Sequence, residues 1–147
     1  MDKTAFSPEE HRKLASDDLL QMMWSLRRTA TDVVSPLGVT PFEAMTLTYI
    51  ARGYTSPKAL ASVLRVHASS LSATLTSFAA RDLIKRPVDT QDKRRLEIRL
   101  TPAGESAVGA IELAWQDAHK PKLEGFAPEE LQTLTKLCLV IAASGES

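Results

Sequence analysis

Two periods of apolar residues divide this chain. From Leu96 to Leu100 they alternate strictly, with Leu96, Ile98 and Leu100 on one side and Glu97 and Arg99 on the other, as a half-buried strand requires. Elsewhere the period is helical. Leu60, Ala61 and Leu64 make one dry face, and Leu71, Leu75 and Phe78 make another. Five prolines punctuate the pattern at helix starts. Ser7-Pro8-Glu9-Glu10 and Thr40-Pro41-Phe42-Glu43 match a capping box with proline just inside it; Ser56-Pro57, Thr101-Pro102 and Ala127-Pro128 are variants. The pattern predicts helices over about 8–34, 41–52, 57–64, 68–81, 102–119 and 128–143, with a small hairpin between about 84 and 101. The order αααα-ββ-αα is mainly α with one β-wing.

The terminal helices carry more apolar residues than one face needs. The first would be about 27 residues, roughly 40 Å long, and Leu14, Leu19, Leu20, Met22, Met23, Trp24, Leu26, Val33 and Val34 exceed a single stripe. The last has Leu131, Leu134, Leu137, Cys138 and Ile141 at helical spacing, with Leu139 and Val140 off that face. A second copy of the chain is the expected cover, with packing of the two helices on each other in a monomer as the alternative.

A length of 147 residues suits one domain, 1–147. The longest apolar run, Leu137 to Ala143, is far short of the roughly 20 residues that a membrane span needs. No apolar stretch marks a secretory leader near the N-terminus, so the cytoplasm is the expected location and no membrane partner is expected. Cys138 is the only cysteine and, set among leucines, reads as a buried inert thiol. His11, His67 and His119 fall on three separate elements without metal-ligand spacing. There is no Gly-rich phosphate loop and no nucleophile elbow. Neither a catalytic set, a metal nor a cofactor is expected.

Net charge is zero, yet it is unevenly spread. Between Ser56 and Thr101 stand nine bases (Lys58, Arg65, Arg81, Lys85, Arg86, Lys93, Arg94, Arg95, Arg99) against four acids (Asp82, Asp89, Asp92, Glu97), leaving the flanks acidic. A basic middle suits a surface that meets a polyanion. The helix after the Val66-His67 turn adds to this. Opposite its apolar seam lie Ser69, Ala73 and Thr76, flanked by Ser70, Ser72 and Ser77. A solvated helix face ordinarily carries Lys and Glu. Short side chains instead allow close approach, as to a major groove, where hydroxyls reach base edges or phosphates. Packing of this face on another protein helix is the alternative.

Leu60-Ala61, Ser69-Ser70-Leu71-Ser72, Leu83-Ile84-Lys85-Arg86, Asp89, Asp92-Lys93-Arg94, Leu100-Thr101 and Gly104 together resemble the MarR (multiple antibiotic resistance regulator) family of transcription factors. The resemblance implies a winged helix-turn-helix lobe over about 40–101, with dimerisation helices over about 7–35 and 102–147. It implies a homodimeric repressor of a palindromic operator in double-stranded DNA. Helix 68–81 would enter the major groove and Arg94 the adjacent minor groove, braced by Asp92. The expected DNA-binding residues are Ser56, Lys58, His67, Ser69, Ser70, Ser72, Ala73, Thr76, Ser77, Arg86, Asp92, Lys93, Arg94 and Arg95. A small-molecule effector is common in the family, and Trp24, Arg27, Arg28, Met45, Tyr49 and Trp115 are the candidate lining. Two positions depart from the pattern. Asp82 stands where the family usually has Gly, and Ala73 where many relatives are basic. A winged-helix module that binds protein and not DNA is the alternative reading.

Overall fold

The structure, a computed structural model, describes residues 7–85 and 97–143. Among them run α1 (Pro8–Val34), a 3-10 turn (Ser35–Leu37), α2 (Pro41–Ala51), α3 (Pro57–Leu64) and α4 (Ala68–Ala80). Then follow β1 (Ile84–Lys85), β2 (Arg99–Leu100), α5 (Pro102–Leu123) and α6 (Pro128–Ala143). The punctuating residues act as their chemistry requires. Ser7 and Thr40 each accept from the backbone N–H three residues on, while Glu10 and Glu43 each reach back to the cap N–H at 2.7 and 2.8 Å. That backbone bond is the main reason the Glu10 carboxyl lies below its ordinary pKa.

One helix runs further than expected. α5 continues through Pro121 to Leu123. Proline removes a single N–H, and the ladder resumes when Glu124 N donates to the Lys120 carbonyl at 3.0 Å.

The core lies beneath the helix-turn-helix. Leu47, Ile50, Leu60, Leu71, Leu75, Phe78, Ile84 and Ile98 are buried together, and Val108 and Ile111 of α5 complete the cluster. α2 packs against α3 and α5, α3 against α4, and α1 against α5. By contrast α1 buries only Val34, and no residue of α6 is buried. Cys138, expected inside, is exposed. No residue of its helix is buried within the single chain, so the expected burial is corrected.

β1 and β2 pair antiparallel, with Ile84 opposite Leu100 and Lys85 opposite Arg99. The alternation holds over the described part: Ile98 is buried, whereas Glu97 and Arg99 face outward and pair at 2.9 Å. Ile98 N also donates to the Thr55 carbonyl at 2.7 Å, tying this strand to the start of α3.

Where the sheet meets α5, one side chain joins several segments. Thr101, 2% exposed, donates through Oγ1 to the Asp82 carbonyl at 2.5 Å and accepts from Gly104 N at 3.0 Å. Its backbone N–H donates to the Leu83 carbonyl at 3.1 Å. Gly104 sits so close to that carbonyl that an added Cβ would collide with Leu83 O. This accounts for the Leu-Thr-x-x-Gly spacing: threonine bridges α4's end to α5's start, and glycine lets the backbones meet.

Gly104→Ala should therefore destabilise the fold by ~1–3 kcal/mol through forced separation of these backbones. Thr101→Val, equal in shape but without donor or cap, should cost ~1–3 kcal/mol. Urea unfolding followed by far-UV circular dichroism measures both. A midpoint unchanged for either variant would remove the bridge from this account.

Candidate nucleic-acid interface

The helix-turn-helix is built from α3 and α4. Ser56 caps α3, its Oγ accepting from Ala59 N at 3.1 Å, which leaves the hydroxyl hydrogen available. α3 ends at Arg65, whose φ of 53° is left-handed and turns the chain towards α4. His67 stands at the N-cap of α4 without a side-chain cap bond. Leu71, Leu75 and Phe78 are buried to 1% exposure or less, which fixes the opposite face outward. Ser69, Ser70, Ser72, Ala73 and Thr76 are exposed there, and Ser77 is half-buried at the edge.

The hydroxyls on this face are not equivalent. Thr76 Oγ1 donates to the Ser72 carbonyl at 2.9 Å, so its hydrogen is engaged while its lone pairs and methyl remain outward. Thr74, just off the face, donates likewise to Ser70 at 3.2 Å. Ser69 and Ala73 present only a short hydroxyl and a methyl. The result is a small, neutral convex surface flanked at the α3 start by exposed Lys58.

Asp82 closes α4 with φ 55°, in the left-handed region. Aspartate can do at some cost what glycine does freely. The helix end keeps its geometry because Thr101 holds the Asp82 carbonyl from the far side. Of the remaining expected interface, Arg86, Asp92, Lys93, Arg94 and Arg95 lie outside the described residues.

The structure divides the expected effector set. Met45 and Trp115 line a cavity of about 200 Å³ with Ala30, Val34, Pro41, Ala44, Thr48, Arg52, Ile111 and Glu112, between α1, α2 and α5. Trp24, Arg27 and Arg28 line a separate hollow on α1 with Thr31 and Asp32, where the Arg27 guanidinium lies 5.9 Å from the Trp24 ring centre. Tyr49 does not line the cavity. It packs edge-on to Tyr54 at 5.3 Å and carries the Arg52 guanidinium over its ring at 5.6 Å. Sequence reasoning missed Thr48, Arg52 and Glu112. The positions 41, 44, 45, 48 and 52 share one face of α2, so helical spacing from Met45 would have found the first two. Glu112 comes from a different helix and had no local signal.

Helix-turn-helix, hairpin and long flanking helices define a winged helix-turn-helix protein. Residues 37–95 match the model of the MarR family. No curated protein shows a significant sequence match. Among solved structures, the chain is similar to apo MarR of E. coli, with 24% identity and a TM-score of 0.67, covering 85% of this chain and 95% of that one. It is similar to S. aureus MepR in a DNA complex, with 21% identity and a TM-score of 0.74, covering 90% and 98%. A third is CouR of Rhodococcus jostii bound to p-coumaroyl-CoA, with 17% identity and a TM-score of 0.72, covering 84% and 89%.

Replacing Asp82 by Gly should relieve the left-handed cost and raise stability by about 0.5–1 kcal/mol. Thermal unfolding measures it. A lowered midpoint would show that the aspartate carboxylate itself holds the helix end.

Proposed function

We propose that the protein is a dimeric DNA-binding repressor whose release is controlled by a small molecule. The observation that carries this reading is the exposed face of α4, whose Ser, Thr and Ala side chains stand opposite a fully buried apolar seam. An uncharged face of short residues suits close entry into a major groove, with the charge needed to attract phosphate supplied by Lys58 and the Lys93-Arg94-Arg95 run nearby in sequence. Arg94 is assigned to the minor groove and Asp92 to bracing it, since residues two apart in extended chain point the same way. His67, Ser70, Ser77, Arg86 and the free Ser56 hydroxyl are assigned to phosphates and groove edges. MepR of S. aureus and a cysteine-to-serine mutant of E. coli MarR, both similar in fold, have been solved with DNA.

Dimerisation is supported by what the terminal helices leave uncovered. Leu20, Met23 and Trp24 of α1 and Leu137, Leu139, Val140 and Ile141 of α6 are each more than half exposed in the single chain. Apolar area on this scale marks an interaction surface. Two copies would set their α4 helices about 34–36 Å apart, which calls for a palindromic site. For the effector, the support is the mostly apolar cavity at Met45 and Trp115, with Arg52 and Glu112 supplying charge at its wall.

Duplexes selected by the chain from a randomised pool test the reading. Binding should weaken by about 0.9 log units in affinity per log unit of salt for each phosphate contacted. Selected sequences should be palindromic. No enrichment, or affinity indifferent to salt, would favour a protein-binding module instead. Arg94→Ala should cut affinity strongly, and Thr76→Ala should shift base preference at a cost of ~1–3 kcal/mol. Asp92→Ala is the sharper variant: bracing predicts weaker binding, whereas simple charge removal predicts tighter binding.

Light scattering at micromolar concentration should give the mass of two chains. A single-chain mass would overturn the dimer and, with it, the palindrome.

A further inference from the structure

The end of α4 is fastened to a part of the molecule remote from its exposed face. Arg81, the C-cap residue of that helix, turns back towards the junction of α1 and α2. Its Nη1 donates to Glu43 Oε1 at 3.1 Å and its Nη2 to the Gly38 carbonyl at 3.0 Å. Glu43 is already committed: Oε2 accepts from Thr40 N at 2.8 Å, and Glu43 N donates to Thr40 Oγ1 at 3.1 Å. One carboxylate therefore caps α2 and receives the guanidinium that ends α4. The same guanidinium also holds the turn by which α1 passes into α2.

Geometry makes this clamp directional. A planar guanidinium with two acceptors, one of them itself fixed by a capping box, has little freedom to rotate. The Glu43 side chain is 18% exposed and that of Arg81 38%, so the acceptor is largely shielded from water. Apart from the Thr101 tie at the same end, α4's attachment is an apolar seam, which resists separation but defines tilt less sharply. At the other end, His67 makes no cap bond. A helix of 13 residues is about 20 Å long, so a tilt of about 5° at the clamped end moves the far end by about 1.7 Å. That exceeds the tolerance of a hydrogen bond to a base edge.

We propose that Arg81 is a positioning residue for DNA recognition, which sets the tilt of α4 against the α1–α2 junction and does not itself contact DNA. The proposal rests on the DNA-binding reading. It makes Glu43, remote from the exposed face of α4, as important to operator discrimination as Arg81. It also predicts that the two act as one unit.

The test compares Arg81→Ala, Glu43→Gln and the double variant with the wild-type chain. Glutamine's single carbonyl oxygen can still serve the capping box, so Glu43→Gln keeps the α2 start while its NH2 group replaces the acceptor and the charge that Arg81 meets. The probes are a duplex selected by the wild-type chain from a randomised pool, and a scrambled duplex of equal length. Each single variant should lose roughly tenfold in preference for the selected duplex, the loss that goes with one charge-assisted hydrogen bond. The double variant should lose no more than Arg81→Ala alone, and the salt slope should stay that of the wild type. If Arg81→Ala flattens the slope by about one unit while Glu43→Gln binds as before, Arg81 is a phosphate contact and the proposal fails. Equal losses on both duplexes, in step with a lowered melting temperature, would reduce the clamp to a stability element. A wild-type chain that selects no duplex overturns the DNA-binding reading and this role together.

Discussion

The hydrogen bond from the Thr101 hydroxyl to the Asp82 carbonyl is the constraint on which the lobe depends. It joins the last residue of the α4 turn to the first turn of α5, two segments separated by the whole hairpin in sequence. Without it the left-handed aspartate would lose its tie to α5, and the close approach at Gly104 would rest on the Thr101 N–H bond to the Leu83 carbonyl. A buried carbonyl left unpaired costs about 1–3 kcal/mol. Threonine supplies the donor and caps α5 with the same oxygen. The end of α4 and the start of α5 are thus referred to one point.

Two kinds of attachment hold α4 in its place, and they have different physical characters. The apolar seam of Leu71, Leu75 and Phe78 supplies most of the burial and is indifferent to small rotations. The polar ties at its C-terminal end, through Thr101 and through Arg81, are weak in energy but strict in direction. α4 is thus held by polar ties at its C-terminal end and by the apolar seam and α3 along its length, with no side-chain cap at its start. The exposed face can then remain neutral and small, because none of its side chains is needed to hold the helix.

Much of this was legible in the sequence, for local reasons. Capping boxes at Ser7 and Thr40 and prolines at 8, 41, 57, 102 and 128 mark helix starts through backbone chemistry that acts within four residues. The buried seam of α4 followed from a 100° period, and the inward side of Ile98 from a period of two, while Leu96 of the same pattern lies outside the described residues. What the sequence hid was long-range. The Arg81–Glu43 pair spans 38 positions and has no periodic signature. The helix expected to end near 119 runs on through Pro121 to Leu123, and Cys138 among leucines suggested an interior that the single chain does not provide. The cavity was half visible, since Met45 and Trp115 share it while Trp24, Arg27 and Arg28 belong elsewhere. Pattern identifies which residues want partners; it does not identify the partners.

The Thr101 bridge has one more consequence, for how such a chain can change over generations. On the α4 side the bridge uses peptide carbonyls alone, those of Asp82 and Leu83, so it is blind to the side chains along the exposed face. The hydrogen bonds of Thr74 and Thr76 stay within their own helix. Ser69, Ser72, Ala73 and Thr76 can therefore be exchanged with little penalty in folding, while Thr101 and Gly104 cannot. The lobe separates an inheritable frame from a surface that is free to drift, which lets new preferences arise by single substitutions without the chain first having to survive an unstable intermediate.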